Sequence, residues 1–301
     1  MGSALYLGAS AIDHSCLPNT IWTFNEREII LVAINQVESF SDLRYSYIGN
    51  KFHEKTKKRK EYLLEHYHFT CICCKCEDSM SDKLKSSMIC KKCKVGCVPI
   101  PSPSDSGGEL PNQIGNSSSD FENTGVCVDC NEKSDADSIR KFEIWKKKFM
   151  DETEMDVVVN NPQICQHVLD QAVEVFHPYD EDFVTFLDSV WQKFYNAQKY
   201  SRTYTILKLI MSNYEHNMPK YYFEIGRKYY EFADVCYKLN LFQESRLNLE
   251  KAEEILTANK YLSQLFDECK ALRTALAQVT LSTTVAQGSV HIYIFFLVKS
   301  I

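Results

Sequence analysis

The sequence predicts an α+β chain, with a β-rich, cysteine-bearing N-terminal part followed by an all-α antiparallel helical domain. Three observations carry this expectation. Two β-prone runs lie within residues 20–34, ten of the thirteen cysteines fall between Cys16 and Cys130, and apolar residues recur at three- and four-residue spacing from 134 to 280. With 301 residues, 45% hydrophobic and 25% charged, the chain can bury one large core or two ordinary ones. A net charge of −6 argues against coating nucleic acid through bulk charge. No run of about 18 apolar residues occurs, so no membrane span is expected. Residues 1–8 lack the basic start and apolar core of a secretory signal. The expectation is an intracellular chain, cytoplasmic and nuclear.

Residues 1–50 read as short strands. Thr20-Ile21-Trp22-Thr23-Phe24 and residues 28–34 are rich in β-branched and aromatic side chains, and Asn25-Glu26-Arg27 between them suits a hairpin turn. Residues 51–78 form the next unit: a charged stretch with Leu63 and Leu64 predicts a helix over 51–66, which leads into Cys71-Ile72-Cys73-Cys74-Lys75-Cys76. Its basic run, Lys55, Lys57, Lys58, Arg59 and Lys60, reads as the solvated face of that helix. A nuclear-import signal, or a contact with acidic substrate or DNA, is the alternative. Residues 79–133 are a cysteine-containing insert. Within 99–125, 19 of 27 positions are Pro, Gly, Ser, Asn or Asp, too polar to order alone, so disorder is expected there.

From 134 to 280 the periodicity predicts helices at 139–149, 164–176, 183–195, 204–214, 223–239, 242–256 and 261–276, joined by short connections. The clearest repeat spans 226–259. Tyr229, Phe232, Ala233 and Cys236 share one helical face, and Ser245, Leu249 and Ala252 the next. This is tetratricopeptide-like spacing, although a generic helical bundle fits the same pattern. Residues 281–301 form an atypical apolar tail whose 291–298 stretch is β-prone and too short to span a membrane.

The clustered thiols point to metal rather than disulfides in an intracellular chain. Cys-x-Cys-x-x-Cys at Cys71, Cys73 and Cys76 supplies three thiolates. Zinc takes four, and the spare upstream cysteine is Cys16 in Asp13-His14-Ser15-Cys16-Leu17-Pro18-Asn19. A full thiolate set leaves no position for water, so such a site is structural. A second arrangement pairs Cys90-Lys-Lys-Cys93 with Cys127-Val-Asp-Cys130 across 33 residues. It reads as a zinc-ribbon-like knuckle in which Cys97 could replace one ligand, or else as free cysteines in the insert.

The first of these motifs resembles the Asn-His-Ser-Cys-x-Pro-Asn motif of SET-domain lysine methyltransferases, and the second their post-SET zinc site. Together with a following helical-repeat domain, the pattern is similar to the SET and MYND (SMYD) family. That resemblance implies a partial SET core over 1–50, a post-SET loop within 51–78 and a TPR-like domain over 134–280. It assigns Cys16, Cys71, Cys73 and Cys76 to one Zn²⁺ and leaves Cys74 free. It also implies an S-adenosylmethionine-dependent protein-lysine N-methyltransferase, acting on histone or other protein lysines, with peptide partners for the helical domain. Tyr47 takes the place of the active-site tyrosine, Phe24 and Tyr67 join it in the lysine channel, and Asp13, His14, Tyr47 and Phe69 form the donor pocket. No enzyme nucleophile is needed, because an apolar aromatic channel disfavours the charged amine and aligns it with the donor.

The sequence departs from the family pattern in three places. Asp13 replaces asparagine, Phe40-Ser41-Asp42-Leu43 replaces Gly-Glu-Glu-Leu, and no Gly-x-Gly occurs. The family's opening SET strands and MYND finger have no counterpart here, so the chain reads as incomplete and is expected to be inactive alone. The alternative function is a non-catalytic zinc-binding helical-repeat scaffold for protein partners. A zinc-ribbon nucleic-acid binder is disfavoured by the acidic balance.

Overall fold

The computed structural model describes residues 6–49, 51–100, 125–258 and 263–286. A single turn, α1 (Leu7–Ser10), leads into β1 (Asp13–His14). The expected hairpin forms from β2 (Thr20–Asn25) and β3 (Glu28–Ala33), in register from Thr20↔Ala33 to Asn25↔Glu28. Glu26 sits at φ 51, the left-handed conformation that a two-residue loop between twisted strands requires. β4 (Arg44–Tyr45) pairs in parallel with β1 and sets His14 opposite Tyr45.

The helix expected over 51–66 is split. A 3₁₀ turn at Lys51–His53 precedes α2 (Thr56–Tyr67), which ends on His68 in the left-handed region. No local side chain caps α2. Its first amides are satisfied from a distance, Thr56 N–H donating to the Asp82 carboxylate at 2.9 Å and Lys55 N–H to Glu181 at 2.7 Å. The basic run is only in part the solvated face expected: Lys57 and Lys58 are exposed, while others turn inward. Lys55 and Arg59 are buried, and Lys58 pairs with Glu181 at 3.1 Å and Asp182 at 3.7 Å.

After α3 (Cys74–Glu77) and α4 (Ser79–Leu84), which Asp78 caps, β5 (Ser87–Ile89) and β6 (Cys97–Pro99) pair antiparallel. The far edge of β5 is covered too, with Ile89 N–H donating to Val175 O and His177 N–H to Ser87 O. Most of the stretch expected to be disordered, 101–124, lies outside the described residues. Its ends are ordered, which corrects the expectation there. Ile100 is buried, and Gly125, at φ +78, donates to Pro99 O and lies against the side chains of Ile139 and Ile100.

Eight helices follow: α5 (Ala136–Met150), α6 (Glu152–Asn160), α7 (Pro162–Ala172), α8 (Glu181–Asn196), α9 (Tyr200–Asn217), α10 (Phe223–Lys238), α11 (Phe242–Ala258) and α12 (Ser263–Ala286). Seven match the expected segments, and the whole is α+β. α6 was not expected, because its Val157-Val158-Val159 run favours strand by itself. Caps override that preference: Asp151 accepts from Glu154 N–H, and Asn161 caps α7 with Pro162 at its first position. α12 continues into the segment read as a tail, through Ala286, while 291–298 lies outside the described residues. Among the described residues no helix is long and apolar enough to cross a membrane.

Packing explains the order of the array. Phe142, Phe149, Phe176, Phe183 and Phe186 meet with ring centroids 5.0–5.3 Å apart and join α5 and α8 to the segment beside β5. Between α10 and α11 small residues allow close approach, as their spacing suggests. Ser245 Oγ–H donates to Ala233 O at 2.7 Å, and a Cβ on Gly226 would stand 2.9 Å from Ile255 Cγ2.

One buried carboxylate ties the two halves together. Asp180 Oδ1 caps α8 by accepting from Asp182 and Phe183 N–H, while Oδ2 takes Lys146 Nζ at 2.7 Å and Ser87 N–H at 3.3 Å. Asp180→Ala removes the α8 cap and leaves the buried Lys146 ammonium to Asp182 alone, 2.6 Å away, and is expected to lower the unfolding free energy by about 3 kcal/mol. Lys58→Ala, half exposed, is expected to cost under ~1 kcal/mol. Urea denaturation checks both, and equal losses contradict the assignment.

Candidate metal centres and aromatic site

The parallel β1–β4 pair and the loop after α2 bring Cys16 to Cys71, Cys73 and Cys76. Their four sulfurs lie within 4.8 Å of one another, and Cys76 Sγ stands 3.5 Å from Cys16 Sγ. Tetrahedral coordination with bonds of about 2.3 Å sets sulfurs roughly 3.8 Å apart, so the spacing suits a zinc ion. Cys74 is exposed and outside the group, as expected. None of the thirteen cysteines is in a disulfide. Hydrogen bonding with Cys71 and Cys73 pushes the Cys16 thiol up, while bonds from Cys16 and Cys71 draw Cys73 and Cys76 down, Cys76 to about 6. Thiolates are the metal-binding form, so a dication displaces thiol protons on binding.

The surroundings fit an anionic centre. Four thiolates around a dication carry two net negative charges, and a buried cation, Arg59, lies beside them with Lys75 near by. Arg59 is fully buried with Nη2 3.6 Å from Cys76 Sγ, and its Nη1–H donates to Glu54 O. Burial lowers its basicity, but attraction to Cys16 more than restores it. Lys75 reaches the Asn217 carbonyl at the end of α9 and lies 5.6 Å from the Phe52 ring centre. Burial, then Lys85 and Arg59, bring its pKa down to about 7.

His14 links this group to an aromatic cluster. Its Nδ1 accepts from Tyr47 N–H at 3.0 Å, which places the ring proton on Nε2, 3.2 Å from Cys16 Sγ. Burial holds the imidazole neutral, with its pKa lowered to about 4. Around it gather Tyr47 at 5.2 Å and Phe69 at 5.9 Å, and Tyr67 lies 4.8 Å from Tyr47. Tyr47 O–H donates to Ile12 O at 2.6 Å. Burial, then Tyr45 and Asp13, push this hydroxyl up to about 12, so it acts as a donor and not as a base.

Two expected site residues stand apart from these rings. Phe24 packs with Tyr6 and Trp22 on the hairpin, half exposed, and among the described residues makes no ring contact with Tyr47 or Tyr67. Asp13 is exposed, with Arg44 Nη2 3.9 Å away. Tyr45, 4.9 Å from Tyr47, belongs to the cluster and was not anticipated. Its i, i+2 spacing from Tyr47 was the available signal.

The second thiol group also assembles. Cys90, Cys93, Cys127 and Cys130 form a set, with Cys90–Cys130 at 3.7 Å and Cys93–Cys127 at 3.9 Å. The two halves are built alike. Lys94 N–H donates to Cys90 O and Asn131 N–H to Cys127 O, and both Lys94 and Asn131 are left-handed, at φ 65 and 56. A Cβ on Gly96 would meet Cys127 Sγ at 2.4 Å and Cys93 Sγ at 2.8 Å, so the backbone must pass there without a side chain. Cys97 is buried outside the group, and desolvation raises it to about 12.

Part of the sequence is similar to known proteins. The chain is 31% identical over 85 residues to N-lysine methyltransferase SMYD2-A of Xenopus laevis, covering 28% of this chain and 19% of that protein. It is 35% identical over 78 residues to protein-lysine N-trimethyltransferase SMYD5 of Gallus gallus, covering 25% and 19%. The same holds at 29% over 82 residues for histone-lysine N-methyltransferase SMYD3 of Mus musculus, covering 27% and 19%. The matched segment is SMYD-like. The chain spans about a fifth of the length of these relatives. No family model matches it.

The two thiol groups make a metal count decisive. After dialysis, two zinc ions per chain are expected by mass spectrometry. Gly96→Ala should remove one and leave the other. A count of one in the unaltered chain, or two in Gly96→Ala, contradicts the second centre.

Proposed function

We propose that this chain contributes the aromatic and thiolate part of an S-adenosylmethionine-dependent protein-lysine N-methyltransferase, acting in cytoplasm and nucleus on protein lysines, histone lysines among them. The observation that carries the reading is the ring cluster in which Tyr47 and Phe69 meet His14, and Tyr45 and Tyr67 meet Tyr47, beside the Cys16 group. The first thiol group would hold a structural Zn²⁺ through Cys16, Cys71, Cys73 and Cys76, and the second through Cys90, Cys93, Cys127 and Cys130.

S-adenosylmethionine, when bound, supplies a methyl group on a sulfonium to a neutral amine. Phe69, half-buried and edge-on to Tyr47 at 6.2 Å, offers a face for adenine. Asp13 and Arg44, side by side at the edge, offer opposite charges for the donor's ammonium and carboxylate. That pairing offsets the repulsion that aspartate alone would exert on the carboxylate. Free lysine has a pKa near ~10.4, and an aromatic wall lowers it by disfavouring the ammonium. Tyr47, Tyr67 and Tyr45 supply that wall, and the Tyr47 hydroxyl, whose proton goes to Ile12 O, offers its oxygen as an acceptor to an amine lying against it.

A scaffold without catalysis is favoured by one observation, the solvent exposure of Asp13. Calorimetry with S-adenosylhomocysteine separates the two readings. Binding is expected, with Phe69→Ala weakening it at least about tenfold through lost stacking. Tyr47→Phe should leave binding within about twofold and abolish any transfer to lysine, a loss of order 10² or more when an oriented hydroxyl is removed. No binding, with the thiol groups metal-loaded, overturns the enzymatic reading.

A further inference from the structure

The strand pair beneath the aromatic cluster stops short of Tyr47. β1 and β4 pair only through Asp13↔Arg44 and His14↔Tyr45, with Ser15 N–H donating to Tyr45 O at 3.1 Å. Tyr47 lies beyond that pairing and is gripped from residues 12–14 in another way. Its hydroxyl donates to Ile12 O at 2.6 Å, and its backbone N–H donates to His14 Nδ1 at 3.0 Å. A side-chain nitrogen thus serves the Tyr47 amide where the backbone ladder has ended.

The other nitrogen of the same ring meets the first thiol group. His14 Nε2 stands 3.2 Å from Sγ of the fully buried Cys16, and the imidazole is flanked by Tyr47 and Phe69. A neutral imidazole has one N–H and one bare nitrogen, so the partner of one nitrogen dictates the role of the other. A sulfur that ligates a metal has no proton and can only accept. It therefore takes Nε2–H, and Nδ1 is left bare to accept from Tyr47. Metal ligation at Cys16 fixes the tautomer, and the tautomer fixes the Tyr47 backbone.

We propose that His14 is a positioning residue that ties the Tyr47 backbone to the metal-bound Cys16 sulfur, an assignment that rests on the first metal centre and not on methyl transfer. Through Tyr47 the tie extends to Tyr45 and Tyr67, whose ring centres lie 4.9 and 4.8 Å from its own. The wall proposed for the amine is then set from the sulfur side.

Two substitutions in the full chain separate the two bonds of the ring. In His14→Asn the amide oxygen can still accept near the place of Nδ1, but the side chain stops short of Cys16. In His14→Gln the amide reaches the place of Nε2, but Tyr47 has no acceptor. The sulfur side is read from the thiolate-to-metal charge-transfer band of the Co²⁺-loaded chain, to which the second thiol group adds a constant background. His14→Asn should move this band to longer wavelength, because a thiolate that loses a hydrogen bond gives up its electrons more easily, and His14→Gln should leave it in place. The Tyr47 side is read in the Zn²⁺-loaded chain by amide hydrogen exchange with isotope-labelled tyrosine, the Tyr47 signal being the one lost in Tyr47→Phe. Both variants should speed that exchange about tenfold, the worth of one buried hydrogen bond, while amides of the β2–β3 hairpin keep their rates. An unmoved band in His14→Asn, Tyr47 exchange there within about twofold of the unaltered chain, or equal acceleration in the hairpin overturns the proposal. Absence of any charge-transfer band in the unaltered chain overturns the metal centre itself.

Discussion

The N-terminal part depends on one constraint, the convergence of four sulfurs from opposite ends of a long loop. Residues 13–49 contain only short strand pairs, β1 with β4 and β2 with β3, too little sheet to hold a shape alone. Joining Cys16 to Cys71, Cys73 and Cys76 closes a loop of about 55 residues, and by the chain-entropy argument for cross-links such a closure is worth on the order of 4 kcal/mol. The same clamp sets Tyr67 and Phe69, which immediately precede Cys71, against Tyr47 and His14. Geometry at the aromatic cluster is therefore a consequence of the sulfur group.

The clamp is not isolated from the helical array. Arg59 lies against Cys76, and the helix that carries it is capped by Glu181 at the start of α8 and by Asp82 of α4. Asp180, one residue earlier, holds Lys146 and β5. Three consecutive acids, Asp180, Glu181 and Asp182, thus connect the knuckle, the basic helix and the array. Desolvating so many charges is tolerable only because each finds an opposite partner.

What the sequence disclosed, and what it hid, follows from the range of the interactions involved. The hairpin, seven of the eight array helices and the two sets of four cysteines were legible because periodicity and ligand spacing are local or chemically distinctive. The break in α2 and the burial of Arg59 were not, since the caps come from residues 26 and 126 positions away. Nothing local separates Arg59 from Lys57. α6 was hidden behind three valines whose strand preference yields to the caps at Asp151 and Asn161. In the site, Tyr47, Tyr67, Phe69 and His14 lie together. Phe24 instead joins Trp22, because residues two apart on a strand share a face.

Hydrogen exchange measured by mass spectrometry on the intact chain and on Cys16→Ser tests the clamp most directly. The account predicts that peptides covering residues 44–49 and 67–71 lose protection together, while the second thiol group, around residues 125–133, keeps its own. Unchanged exchange at 44–49, or equal loss in both thiol groups, would contradict it.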